Sequence, residues 1–400
     1  MSSMSSTAPR TPRTATTRHV TEINRTAIID VLRADGPLSR RDIVKRTGLG
    51  SATVERLTAA LIDEGAIELA GQVRSSVGRP SSLLRFAPAV RVVAAVDVTE
   101  YTARGRLVDL AGTTLYEESL AFDLEVADPG AARVDGLLRF VDKLTSKETG
   151  VKPPVVAVGI AVPGIVDKGV VSKAVELDWH ELPLAEIVSG RCGLPVYVEN
   201  DANATAFGEW SYGASTGAHN AVALVLGARI SAGIINEGRL YRGDRSAAGE
   251  IGFLLTSTAS FTRYFTEQGD IESTLAAGVL PFAQKEDGVR PGKRIGPAFR
   301  AMMARCGTGD SGAARAREEF FDSIALAFVA LSVVLAPQVI VLAGAFAQYS
   351  EESAGELTRR LAGRIPWVPR IAVSDLGFDA AITGVSALTI ERARSATYLA

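Results

Sequence analysis

Val198-Glu-Asn-Asp-Ala-Asn203 is the stretch on which the reading of this chain turns. Val196 to Val198 has the composition of a short strand. The polar run that follows cannot extend a strand but is well suited to open a helix, so the carboxylate of Asp201 falls at a strand-to-helix junction. Other strands along the chain end in a comparable way. Val92 to Val96 runs into Asp97, Arg106-Leu-Val-Asp-Leu-Ala-Gly112 is a second strand and its turn, and Val155 to Ala161 closes at Pro163-Gly164. Val222 to Leu226 starts a similar set further on, and Ile234-Ile-Asn-Glu-Gly-Arg239 reads as a hairpin turn. Strands with polar turns at their C-terminal ends, alternating with helical stretches, predict an α/β body with a cleft between two lobes.

Of the 400 residues, 47% are hydrophobic and 22% charged, which fits a globular protein of two or more packed units. The net charge of −2 hides an asymmetry: residues 1–90 carry 13 Lys/Arg against 8 Asp/Glu, the remainder 30 against 37. A basic front on an acidic body suits contact with nucleic acid at one end. Cys192 and Cys306 are the two cysteines, too few and too far apart for a disulfide framework, so a reducing, cytoplasmic location is expected. Residues 1–20, rich in Ser, Thr, Pro and Arg and without an apolar core, read as a disordered arm rather than a secretory signal. Ile324 to Ala347 is apolar and long enough to span a bilayer, but Ser332, Pro337 and Gln338 interrupt it. It divides into a buried helix and a buried strand, Val339-Ile-Val-Leu-Ala343, closed by Gly344.

Residues 21–88 read as a winged helix-turn-helix. Ile23, Ala27, Ile28, Val31 and Leu32 fall at helical spacing until Gly36-Pro37 stops them. A second helix is capped by Ser39, with Asp42 in its first turn. Gly48-Leu49-Gly50 makes the turn, and a third helix, capped by Ser51, buries Val54, Leu57, Leu61 and Ile62 before Gly65. Two short helices about a Gly-containing turn form a DNA-reading pattern. The expected contacts are Arg40, Ser51, Thr53, Glu55 and Arg56, with Arg56 able to pair with guanine or phosphate and Glu55 with a cytosine amine. Ala66 to Ala70 and Leu83 to Phe86 predict two wing strands, with Gly78-Arg79-Pro80 at the tip presenting Arg79 to a narrow minor groove. A three-helix module that binds protein is the plainer alternative.

Leu38-Ser-Arg-Arg41 with Gly48-Leu49, Gly78-Arg79-Pro80, Gly159-Ile-Ala-Val-Pro-Gly-Ile-Val-Asp167, Val198-Glu-Asn-Asp-Ala-Asn203 and Ala248-Gly-Glu-Ile-Gly252 together resemble the ROK family of repressors, open reading frames and sugar kinases. The resemblance runs from about residue 21 to the end. It implies a two-lobed hexokinase/actin-like fold for residues 89–400 and places Asp201 as the base that would take a proton from an attacking sugar hydroxyl. A helix cap or a plain acceptor for a sugar hydroxyl are other roles for that aspartate. By the same resemblance Asn200, Asp201, Glu250 and Glu272 match positions that contact sugar hydroxyls.

The phosphate loops depart from the family pattern. Where the family has Asp-x-Gly-Gly-Thr this chain has Asp97-Val-Thr-Glu-Tyr101, and the second loop is Leu226-Gly-Ala-Arg-Ile-Ser-Ala-Gly233. Glycines there admit positive φ and let backbone approach phosphate. Glu100, Arg229 and Ser231 should close that approach, and Ala343-Gly344-Ala345 alters the adenosine-side turn. No catalysis and no cofactor are therefore expected. Phe253 replaces the family's histidine, and no cysteine or histidine lies between Leu254 and Ile271, so no zinc or other metal is expected. Two hypotheses remain: a DNA-binding repressor or dual regulator whose cleft senses a sugar or sugar derivative, a sugar phosphate included, and a regulator whose body keeps only dimerisation and protein contacts. An active sugar kinase stands third. Expected partners are double-stranded operator DNA and a second copy of the chain or more, with no membrane.

Overall fold

The computed structural model describes residues 17–73, 81–87, 91–262, 269–283 and 294–399. Two compact units emerge: one holds residues up to Arg91 together with Glu391–Ala400, the other Val92–Ile390. The expected arm lies outside the described residues up to position 16, and the first helix begins at Thr17.

The first unit opens with α1 (Thr17–Asp35), a two-residue strand β1 (Leu38–Ser39), α2 (Arg40–Thr47) and α3 (Ser51–Asp63). β2 (Ile67–Val73) and β3 (Ser81–Phe86) pair antiparallel, with a bulge between Leu69 and Gly71. The sequence reading finds two strands. The structure adds β1, pairing Leu38 and Ser39 with Leu84 and Leu83. Ile28, Ile29, Ile43, Val54, Leu61 and Leu84 form its fully buried centre. Gly36, at φ 79°, ends α1 as its left-handed conformation requires.

The second unit is built from the same sheet twice. Its first lobe runs β4 (Val92–Val98), β5 (Thr102–Asp109), β6 (Thr114–Ala121), α4 (Pro129–Thr145), β7 (Val155–Val162), a small sheet of β8 (Ile165–Asp167), β9 (Val170–Ala174) and β10 (Trp179–Leu182), then α5 (Leu184–Cys192) and β11 (Val196–Asn200). The main sheet has the order β11-β7-β4-β5-β6, parallel on one side of β4 and antiparallel on the other. The second lobe follows with α6 (Asp201–Tyr212), β12 (Ala221–Leu226), β13 (Ile230–Asn236), β14 (Arg239–Leu240), α7 (Ile271–Val279), α8 (Ile295–Gly307), α9 (Ser311–Leu335), β15 (Val339–Gly344), α10 (Ser350–Leu361), β16 (Arg370–Val373) and α11 (Ala380–Leu399). Its sheet, β14-β13-β12-β15-β16, repeats the senses of the first. The hairpin between β13 and β14 turns on Glu237 and Gly238, both at positive φ, the two-residue turn whose twist matches its strands.

The strands are apolar because helices cover both sheets. Phe299, Phe320, Phe321 and Phe346 anchor the second lobe with ring centroids 4.8–6.3 Å apart, each burial contributing about 1.5–3 kcal/mol. α9 ends at Leu335, with Ala336 left-handed, and β15 follows, as the apolar run 324–347 predicted. No helix among the described residues is long and apolar enough to cross a membrane. α6 and α11 meet through glycine: a Cβ at Gly384 would overlap the Ala204 carbonyl, and one at Gly208 would lie 2.6 Å from the Ala380 oxygen. Gly159 of β7 sits against Thr389, and Gly233 of β13 against Ala202 and Ala206. The helix pair thus touches both sheets at backbone distance, and the strand ends above it are left to form a cleft.

Candidate functional site

In the helix-turn-helix, Ser39 caps α2. Its hydroxyl accepts from the Asp42 amide at 3.2 Å and donates to the Asp42 carboxylate at 2.6 Å, which holds that carboxyl below its usual range. Gly48 is left-handed at φ 70° and returns its N–H to the Val44 carbonyl. The cap of α3 needs correction: it is Gly50, whose carbonyl takes the Val54 N–H at 3.0 Å, while Ser51 is the first helical residue and its side chain caps nothing. The two-glycine turn fixes where helical geometry starts, and that overrides the better capping chemistry of serine. Val54, Leu57, Thr58 and Leu61 face inward. Ser51, Ala52, Glu55 and Arg56 face outward, and Thr53 is half-buried. Neither Glu55 nor Arg56 makes a side-chain ion pair or hydrogen bond among the described residues. Arg40 is committed instead, its Nε donating to the Thr58 hydroxyl at 2.8 Å, so that it ties α2 to α3. Arg79 lies outside the described residues.

The larger site is a cavity of about 640 Å³ in the second unit, at the C-terminal ends of β4, β11, β12 and β15. Asn200 and Asp201 divide the work at the start of α6. Asn200 is the cap: its Oδ1 accepts the Asn203 N–H at 3.0 Å, and its Nδ2 donates to the Gly164 carbonyl at 2.8 Å. Asp201 is thereby relieved of capping. One of its oxygens accepts the Ala202 amide at 2.8 Å and the Asn200 amide group at 3.2 Å. Its carboxyl is pushed up to about 7, first by burial and then by the charge of Asp97. Asp97, at the end of β4, is itself pushed up to about 6 by burial, against the pull of Arg104 at 3.8 Å.

Glu250 comes from the loop after β14. Gly249, at φ 93°, packs so closely on Ala232 that a side chain there would strike its carbonyl, and this fixes where Glu250 points. Burial raises the Glu250 carboxyl and Arg229 opposes the rise, yet the side chain has no hydrogen bond among the described residues. Glu272, in the first turn of α7, differs. Both of its oxygens are taken by Arg229, from Nε at 3.0 Å and NH2 at 2.8 Å. Arg229 also lies 3.8 Å from Glu176. The structure therefore brings Asn200, Asp201, Glu250 and Glu272 to one cavity, with Glu272 already paired.

A model of the ROK family matches residues 93–392, and one of the IclR helix-turn-helix domain matches residues 26–70. The chain belongs to the ROK family. A putative xylose repressor of Caldicellulosiruptor sp. (strain Rt8B.4) is 30% identical over 237 residues, which cover 59% of this chain and 59% of the relative. The chain thus spans about three-fifths of the length of such relatives. The glucokinase of Streptomyces coelicolor is 41% identical over 118 residues, 28% of this chain and 37% of that enzyme. Among solved structures, a ROK family transcriptional regulator described as a homologue of the E. coli MLC protein superposes with a TM-score of 0.78 at 20% identity, covering 95% of this chain and 98% of that one. At that identity the likeness establishes the fold, a helix-turn-helix ahead of a sugar-kinase-like body.

Three features of this ROK body escape a reading of the sequence. Glu199, buried beside Asn200, accepts from Arg242 Nε at 2.9 Å and NH2 at 2.6 Å and from the Asn203 amide group at 3.1 Å. It links the floor of the cleft to the loop that carries Glu250. Glu176, on a short turn after β9, lines the cavity, and so does Asp97 in a role beyond its place in the first phosphate loop. A charged residue in or just after a strand was the available signal for each. The arginines that meet Glu199 and Glu176 stand 43 or more residues away and leave no local trace, whereas Arg104 faces Asp97 across the adjacent hairpin.

Proposed function

We propose that this chain is a DNA-binding transcription regulator, a repressor, whose body binds a sugar or sugar derivative without phosphorylating it. The observation that carries the reading is the outward face of α3, where the side chains of Glu55 and Arg56 have no partner among the described residues, on a helix held by a capped, glycine-turned neighbour. Residues 21–88 act as the reader and 89–400 as the sensor and dimerisation body, behind an arm over 1–20. Because one recognition helix covers few bases, the chain works as at least a homodimer on two half-sites, in the cytoplasm where its operator lies. The names of the repressor relatives make xylose the first sugar to test.

Support for the sensor comes from Asp201 and Glu250, carboxylates that burial makes costly and that hydroxyl donors of a polyol would satisfy. Support for the absence of kinase activity comes from the side chains of Glu100 and Arg229 in place of phosphate-loop glycines. The pairing of Glu272 with Arg229 favours, by contrast, the second reading of a body that has lost its ligand.

The test is capture of genomic fragments by the full-length protein at low salt, with and without a panel of sugars, and an assay of ATP-dependent sugar phosphorylation. Enriched palindromic fragments, released or tightened by one sugar, are expected, and Arg56→Ala should weaken specific binding by about 1–3 kcal/mol. Failure to enrich any fragment overturns the regulator reading, and phosphorylated sugar overturns the inactive body.

A further inference from the structure

The turn between β4 and β5 faces the start of α8 across the cleft. Glu100 Oε2 lies 3.4 Å from Arg294 Nε, with the side chains 23% and 29% exposed. The same guanidinium sits 4.9 Å from the centroid of the Tyr101 ring. Two consecutive residues of the first lobe thus grip one arginine of the second. The turn is braced from behind: Thr99 Oγ1 accepts from the Thr102 amide at 3.2 Å, and buried Arg133 donates Nε to the Glu100 carbonyl at 2.9 Å. The Glu100 carboxylate is therefore presented by a held backbone.

The opposing wall carries more positive charge than Glu100 cancels. Arg300 lines the same cavity and its side chain makes no ion pair or hydrogen bond among the described residues. Arg294 Nε is shielded from solvent and lacks a hydrogen-bond partner, since 3.4 Å with poor geometry leaves an ion pair alone. Arg294 caps α8 and Arg300 lies within it, and both line the cavity at the C-terminal ends of β12 and β15. Two arginines so placed are the equipment of an anion site, and Glu100 supplies a counter-charge to Arg294 from within.

We propose that Glu100 is a built-in anion: its carboxylate occupies, at Arg294, the place that a phosphate group of a ligand would take, so that the chain clasps its own lobes at that end and refuses free polyphosphates. This goes beyond the assignment of a DNA-reading sugar sensor and does not depend on it. A phosphate brought to Arg294 must either displace Glu100 or lie beside its like charge. Removing the carboxylate leaves Arg294 and Arg300 together and unbalanced in a partly desolvated wall, where attraction for an anion is poorly screened.

The experiment uses full-length protein and inorganic tripolyphosphate, with binding read by calorimetry at low and moderate salt. Wild type is compared with Glu100→Ala, Glu100→Gln, Arg294→Ala and the Glu100→Ala/Arg294→Ala double variant. Weak binding of the anion by the basic reader is common to all five and serves as the baseline. Glu100→Ala and the isosteric Glu100→Gln should each gain a site at least about tenfold tighter than that baseline, weakening as salt rises. The double variant should fall back to it. Amides 97–102 should exchange hydrogen faster in the Glu100 and Arg294 single variants, because each loses the clasp. The proposal is overturned if both Glu100 variants bind as wild type does, if wild type already has the tight site, or if the gain survives in the double variant. Neither sugar nor operator enters the measurement, so failure of the sensor reading would leave its outcome intact.

Discussion

The two walls of the cleft treat their carboxylates in opposite ways. On the wall formed by the start of α6 and the loop after β14, Asp201 and Glu250 have no cation in an ion pair with them among the described residues. On the wall formed by the β4–β5 turn, the β12–β13 turn, the turn after β9 and the starts of α7 and α8, Glu100, Glu176 and Glu272 each face an arginine, Arg294 or Arg229. An unpaired carboxylate in a desolvated cleft raises its own pKa and costs stability, and that is the state of Asp201. The paired wall is satisfied from within the chain, whereas the carboxylates of the other wall are left to groups from outside it. That difference is what the proposed sensor rests on.

The largest expected effect is at the unpaired wall. If the body binds a sugar as proposed, Asp201→Ala should lower that affinity about 10- to 100-fold, the worth of a hydrogen bond to a charged group, in calorimetric titrations. An unchanged affinity would erase the contrast between the walls. A pH series gives the next largest effect. The Asp201 carboxyl ionises at about 7 when folded but near 3.8 in the unfolded chain, so between those values the folded state holds a proton that the unfolded chain has lost. The body should therefore lose stability as pH rises from about 4 to about 7 and level off above, and Asp97 adds to the same slope. Asp201→Asn should flatten it, as chemical denaturation at several pH values will show. An unaltered slope would mean that burial does not hold that proton.

The smallest effect sharpens the comparison from the paired side. Arg229 is 37% exposed, so Arg229→Gln should cost no more than about 1 kcal/mol in stability. It should raise the carboxyl of Glu250 as well as that of Glu272, because Arg229 opposes the effect of burial on both. Sugar affinity should then change more in Arg229→Gln than in Arg242→Lys, where Glu199 keeps a cationic partner. The reverse order would move the centre of the site toward Glu199.

Local chemistry made much of this legible. The Ser39 cap, the turn Gly48-Leu49-Gly50, the break at Pro337 and the strand-to-helix junction at Asn200-Asp201 are each decided within a few residues, and the structure places them where spacing and turn chemistry put them. Ser51 shows the limit of that logic. Its side chain has the better capping chemistry, and the register was nonetheless settled by the backbone of Gly50. The parts that stayed hidden join distant segments. Glu100 and Arg294 are almost half the chain apart, Glu199 and Arg242 meet only once both lobes are built, and β1 is too short to announce itself. Family motifs drew attention to Glu100, Arg229 and Ser231 in place of glycines, yet they gave no hint that Glu100 would meet Arg294 or Arg229 would meet Glu272.

The glycine contacts between α6 and α11 bear on how such a protein can change over generations. Where two helices meet main chain to main chain, as at Gly208 and Gly384, no side chain is available to be enlarged, trimmed or recoloured with charge. A substitution at this centre has to move main chain, whereas the loops that carry Glu100, Arg229 and Phe253 can exchange side chains without doing so. An alanine at 384 should therefore destabilise the body more than a comparable change at the rim of its pocket.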